Sequence, residues 1–118
     1  KAQLQSSSDR ALVFVQHRVD GKGNHPVSNA GALRAVLEAS RRVLAVFLGH
    51  RHINDCKSIN GIHYCTLRSL VDGAAPENSA YGTLDIYPGL EAHRNGFRLL
   101  ESRNLQGPRG PHHAAQKV

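Results

Sequence analysis

The apolar positions of this chain change their period along its length. Residues 11–15 (ALVFV) and 43–48 (VLAVFL) are short unbroken apolar runs rich in β-branched and aromatic residues. That is the pattern of strands buried on both faces. Between them Ala30, Leu33, Val36 and Leu37 recur at helical spacing, with Arg34, Glu38 and Arg41 elsewhere. The spacing predicts an amphipathic helix over residues 30–41, capped by Ser28 or Asn29. Residues 17–28 contain two glycines, Pro26, Asn24 and Asp20, and are expected to form a loop. Residues 1–10 read as the end of a helix running into a polar turn. Strand, helix and strand with short joints make a βαβ unit, so the two strands are expected to be parallel neighbours or near neighbours.

The pattern changes after Gly49. Asn60-Gly61 lies between Lys57-Ser58-Ile59 and Ile62-His63-Tyr64, the strongest short-range hairpin signal. A two-residue loop there sets Ile59 opposite Ile62, Ser58 opposite His63 and Cys56 opposite Cys65. The last is a non-hydrogen-bonded pair, whose α-carbons lie about 4.5 Å apart. Residues 72–79 are expected to be loop and residues 80–87 strand, with Pro88-Gly89 turning the chain. Residues 90–94 and 97–102 are expected to close a second hairpin about Asn95-Gly96. The expected fold class is α/β, with one βαβ unit followed by antiparallel hairpins. It occupies residues 1–104, and residues 105–118 are expected to be a disordered tail.

Composition narrows the function classes. The chain has 118 residues, enough for one domain. Its longest apolar run, residues 43–48, is far short of the roughly 20 residues that span a bilayer, so no membrane span is expected. The net charge is +6. Half of the excess comes from Arg103, Arg109 and Lys117 in the acid-free stretch 103–118. A diffuse excess with 5% aromatics argues against a nucleic-acid surface, which needs a dense basic stripe or stacking platforms. Two cysteines do not suggest a disulfide-stapled secreted module. A cytoplasmic setting with both thiols free is favoured. The chain has no Met and opens on Lys1-Ala2-Gln3-Leu4 without a visible signal peptide, which leaves open a trimmed initiator or a piece whose beginning is missing.

The candidate chemistry sits at Gly49-His50-Arg51-His52, directly after the second buried strand. In a locally extended chain, residues i and i+2 point to the same side. His50 and His52 are thus expected to face one site at the carboxyl end of the strand, where open α/β sheets place their ligands. Gly49 lets the chain turn there. His17 follows the first strand of the same unit, so parallel pairing brings it to the same edge. Three converging imidazoles make a metal site. His63 reads first as a hairpin side chain and Arg18 as a loop residue. Arg51 is expected to point to solvent, and Arg34 with Glu38 forms a helix-face pair.

These residues, in this order, resemble the C-terminal half of calcineurin-like metallophosphoesterases. The pattern is a strand followed by His17, a helix, a strand followed by Gly49-His50-Arg51-His52, and the hairpin Asn60-Gly61-Ile62-His63-Tyr64. The Glu77-Asn78 loop and the Gly96 turn add to it. The pattern is most similar to bacterial members and to the manganese-dependent ADP-ribose/CDP-alcohol diphosphatase type. The resemblance implies a partial metallophosphoesterase sandwich and two divalent metal ions (Mn, Fe, Zn or Mg). His50 and His17 would serve one ion and His52 the other, about 3.5–4 Å apart, activating a bridging hydroxide for in-line attack on phosphorus. His63 and Arg18 are candidate substrate-side residues. The substrate implied is a phosphorylated small molecule or nucleotide, cleaved at a phosphomonoester or nucleotide diphosphate bond.

The family's N-terminal Asp-x-His and Gly-Asp motifs are absent here, and Gly23-Asn24-His25 falls after His17 rather than before it. The ligand register at the first strand end stays open between Gln16 and His17. The chain is therefore expected to lack the remaining ligands, to need an N-terminal half as partner, and to be inactive alone. The alternative is a non-catalytic metal- or partner-binding domain that retains half of the fold.

Overall fold

The computed structural model describes residues 10–16, 29–49, 51–88 and 91–107. Its strands are β1 (Ala11–Val15), β2 (Val43–Leu48), β3 (Asp55–Ile59), β4 (Ile62–Thr66), β5 (Tyr81–Tyr87), β6 (Glu91–Phe97) and β7 (Arg103–Gln106), with one helix, α1 (Ala30–Ser40). They form a four-stranded sheet in the order β1-β2-β4-β3 and a three-stranded sheet in the order β5-β6-β7. No described helix is long and apolar enough to cross a membrane.

The βαβ expectation is met. β1 pairs with β2 in parallel, Val13 beside Val46 and Val15 beside Leu48. All six residues of β2 are buried because each face of the strand has its own cover. On one face Val43, Val46 and Leu48 pack with Ile62, Tyr64 and the helix residues Ala30, Leu33 and Leu37. On the other, Leu44, Ala45 and Phe47 pack with Cys65 and with Ala92 and Leu105 of the second sheet. The register slips between Ala11 and Leu12, and this bulge lets the consecutive residues Leu44 and Ala45 serve the same layer. The result is a helix, a mixed sheet and an antiparallel sheet in three layers.

α1 starts at Asn29, which makes no side-chain capping bond, and ends where Arg41 turns left-handed at φ 56°. Glu38 faces the hairpin tip, where its Oε1 accepts a hydrogen bond from Asn60 Nδ2 at 3.0 Å. Asn60 and Gly61 have φ of 50° and 81°, the two positive values that a two-residue hairpin turn requires. The pairing follows the count made from the sequence, Ile59 with Ile62 through Cys56 with Cys65.

Three expectations are corrected. Cys56 and Cys65 are joined as a disulfide rather than free. Direct pairing brings their α-carbons to 4.0 Å with both sulfurs on the same sheet face. Asn95-Gly96 is not a turn. β6 runs through it, with Gly82 beside Gly96, and Asn95 Nδ2 donates across to Asp85 Oδ2 at 2.8 Å. Glycine is needed at position 96 for a different reason: a Cβ there would collide with the Leu100 carbonyl and the Glu101 backbone. The reversal comes after Phe97, where Arg98 takes φ 62°. β7 then carries the described fold to Gln106, with Leu105 fully buried, beyond the expected tail boundary at residue 105. The helix end expected over residues 1–10 falls, save Arg10, outside the described residues, as do residues 108–118 and the whole 17–28 loop.

Leu105 is the side chain through which β7 enters the inter-sheet core. Leu105→Ala is expected to lower unfolding stability by about 2–5 kcal/mol. Ile86→Ala, on the exposed strand β5, is expected to stay within about 0.5 kcal/mol. Urea denaturation of the two variants measures the contrast.

Candidate functional site at the carboxyl edge of the parallel strands

Three parallel strands end together. Val15 of β1 and Thr66 of β4 both lie beside Leu48 of β2. Gly49 N–H donates to the Val15 carbonyl at 3.3 Å, and Leu67 N–H donates to the Leu48 carbonyl at 2.8 Å. A Cβ added at Gly49 would sit 3.3 Å from the Gln16 carbonyl, so the chains leaving β1 and β2 run side by side. The residues that follow each strand emerge at one edge, the usual place for ligand chemistry in α/β sheets.

Among the described residues His52 is the centre of that edge. Its backbone is left-handed, with φ 55°, a conformation that His adopts more readily than most non-glycine residues. The chain is therefore not extended at His52, and His50 lies outside the described residues. Two contacts from the segment after β4 hold it. Arg68 Nη1 donates to the His52 carbonyl at 2.7 Å, and His52 Nδ1 lies 3.1 Å from Asp72 Oδ1. Asp72 Oδ2 accepts from Ser69 N–H at 3.2 Å and pairs with Arg68 Nε at 3.6 Å. The cluster is thus a carboxylate and a guanidinium that fix one imidazole by both its ring and its backbone. A proton on Nδ1, donated to Asp72, would leave the lone pair on Nε2, which has no hydrogen-bond partner among the described residues.

That arrangement fits a metal ligand. A ligating His commonly secures its other ring nitrogen on a carboxylate, which sets tautomer and orientation. Among the described residues, however, no group of three or more His, Cys, Asp or Glu is placed to hold an ion. His17, His50 and Arg18 lie outside the described residues, as does Gly23-Asn24-His25. His63 is set apart from His52. It pairs with Ala45, three positions before the Leu48–Thr66 pair, about 10 Å back along the strand. Its Nε2 lies 2.5 Å from the Gln106 carbonyl, so it ties β4 to β7. Arg51 is exposed.

Arg68 and Asp72 belong to the cluster without any local motif that marks them. Their only sequence signal is topological. A third parallel strand ending at Thr66 brings residues 67–72 to the edge where Gly49 emerges, and nothing local in the sequence announces that β4 is parallel to β2.

No family model and no curated protein matches the chain. A solved structure, the crystal structure of a dimetal phosphatase from Danio rerio, is similar to it with a TM-score of 0.80 and 22% sequence identity. The match covers 91% of this chain and 36% of that one, so this chain spans about a third of the neighbour's length. The fold is shared, and it agrees with the partial metallophosphoesterase sandwich expected from the residues.

Asp72 is predicted to set the His52 tautomer. In 15N spectra of the imidazoles, His52 is expected to carry its proton on Nδ1. Asp72→Ala is expected to mix the tautomers and to speed amide exchange at Ser69. An unchanged His52 spectrum in that variant would show that the carboxylate does not orient the ring.

Proposed function

We propose that this chain is the C-terminal portion of a metal-dependent phosphoesterase domain that hydrolyses phosphomonoester or nucleotide diphosphate bonds. What carries the reading is the coincidence of one sheet edge with one motif. The Gly49-His50-Arg51-His52 segment leaves β2 where β1 and β4 also end, within a fold similar to that of a dimetal phosphatase. In this proposal His17, His50 and His52 contribute imidazoles to two divalent ions, and Asp72 orients His52 from behind. When bound, the metals supply Lewis-acid activation of water and charge neutralisation at phosphorus. Arg18 faces the substrate phosphate. Arg68 does not, because its guanidinium is already engaged by the His52 carbonyl and Asp72.

The remaining ligands and the rest of the sandwich come from a complementary N-terminal portion, consistent with the span of about a third of the neighbour's chain. The chain alone is therefore expected to show no turnover of p-nitrophenyl phosphate with Mn2+, Zn2+ or Mg2+.

Mn2+ titration of the chain, followed by paramagnetic broadening of the imidazole signals, tests the ligand assignment. His50 and His52 are expected to broaden first. His52→Ala is expected to weaken binding at least about tenfold, and Asp72→Asn by about tenfold. Broadening confined to His112 and His113 would overturn the assignment and favour a partner-binding domain without metal chemistry.

A further inference from the structure

β1 is the outer strand of its sheet, bonded on one side only, to β2. It lies on a flank where both sheets end. Hollows between the sheets are lined from both edge strands, one by Phe14 and Leu84, the other by Leu12, Ile86 and Tyr87. Phe14 stacks on Phe47 with ring centroids 5.1 Å apart, yet it is 70% exposed.

Edge strands attract other strands unless something blunts them, most often a charge or a short length. Among the described residues, the other three sheet edges are blunted in this way. β3 carries Asp55 and Lys57, β5 carries Asp85, and β7 is short and carries Arg103. β1 reads Ala-Leu-Val-Phe-Val and carries no charge. Its backbone fixes which polar groups are left over. Ala11 N–H donates to the Arg42 carbonyl, and the Val15 carbonyl accepts from Gly49 N–H. Residues 11, 13 and 15 therefore turn their N–H and C=O to β2. Successive residues of a strand turn these groups to opposite sides, so those of Leu12 and Phe14 face outward.

That edge is complementary to itself. An antiparallel two-fold pair centred on Val13 would set Leu12 opposite Phe14 of the second copy, and each such pair would exchange two hydrogen bonds. The charges permit it, because Arg10, the nearest charged residue, would lie opposite the uncharged Gln16. The exposed Phe14 ring would gain Leu12 of the second copy as a neighbour on the same face.

We propose that the chain by itself docks a second copy along β1, joining the two four-stranded sheets into one continuous sheet. The surface shares no residue with the His52–Arg68–Asp72 cluster and does not depend on the phosphoesterase reading.

Sedimentation of the whole chain over a range of concentrations, with amide exchange read in 1H–15N spectra, tests the proposal. The average mass is expected to rise to twice that of the monomer and stop there, because pairing uses up the edge. Exchange at Leu12 and Phe14 is expected to slow at least about tenfold in the dimer, whereas Ala11, Val13 and Val15 are protected at every concentration. Phe14→Pro removes an outward N–H without touching a bond to β2, which an edge strand tolerates. It is expected to weaken dimerisation at least about tenfold. Phe14→Ala keeps the N–H and is expected to weaken it less. Should the proline variant fail to fold, Phe14→Lys, which puts a charge on the edge, takes its place. A chain that stays monomeric overturns the proposal. So does association that leaves the Leu12 and Phe14 amides unprotected, growth past the dimer, or an alanine variant as damaging as the proline one.

Discussion

The fold depends on β2 being dry on both faces. Six consecutive residues, Val43–Leu48, are buried, and a strand so placed needs a cover on each side and a hydrogen-bonded neighbour on each edge. α1 supplies one cover through Ala30, Leu33 and Leu37. The second sheet supplies the other through Ala92 and Leu105. β1 and β4 supply the edges, both in parallel. The bulge opposite Ala11 and Leu12 adjusts the strand so that its N-terminal end feeds both layers.

Because β1, β2 and β4 run the same way, their carboxyl ends share one edge. The sheet thereby gathers segments that are far apart in sequence. Arg68 and Asp72 reach His52 from 16 and 20 residues away, and the left-handed backbone of His52 is held by contacts at both its ring and its carbonyl. A non-glycine residue in that conformation persists where the surroundings over-determine it, which is common at functional sites. The likeness to a dimetal phosphatase at 22% identity concerns this framework, and the chemistry proposed for it rests on the side chains placed there.

The second sheet is fastened by polar contacts as well as by apolar packing. His63 reaches the Gln106 carbonyl. Asn54 Nδ2 donates to the Leu99 carbonyl at 2.6 Å, and Asn54 Oδ1 accepts from Glu101 N–H at 3.2 Å. These ties come from the loop after β2 and from β4, so the same strands that build the site also position the turn beside Arg94. The Cys56–Cys65 disulfide locks the hairpin edge of the first sheet. Between the ties the sheets stand apart around a cavity lined by Phe14, Phe47, Leu84 and Leu100.

Local pattern alone determined much of this protein. The apolar runs at residues 11–15 and 43–48, the helical spacing from Ala30 to Leu37 and the Asn60-Gly61 turn each specify their element through short-range sterics and periodicity. The Cys56–Cys65 register follows by counting. His52 was legible because a motif directly after a buried strand stays near that strand's end. What required the tertiary structure is whatever depends on neighbours distant in sequence. Asn95-Gly96 carries the same turn signal as Asn60-Gly61, yet it lies inside β6, because β5 pairs through it and the Leu100–Glu101 backbone passes too close for any side chain. The parallel pairing of β4 with β2, and with it the arrival of Arg68 and Asp72 at His52, is a choice among long-range pairings that no local spacing encodes. The burial of Arg94 arises in the same way, from a second sheet folded over it.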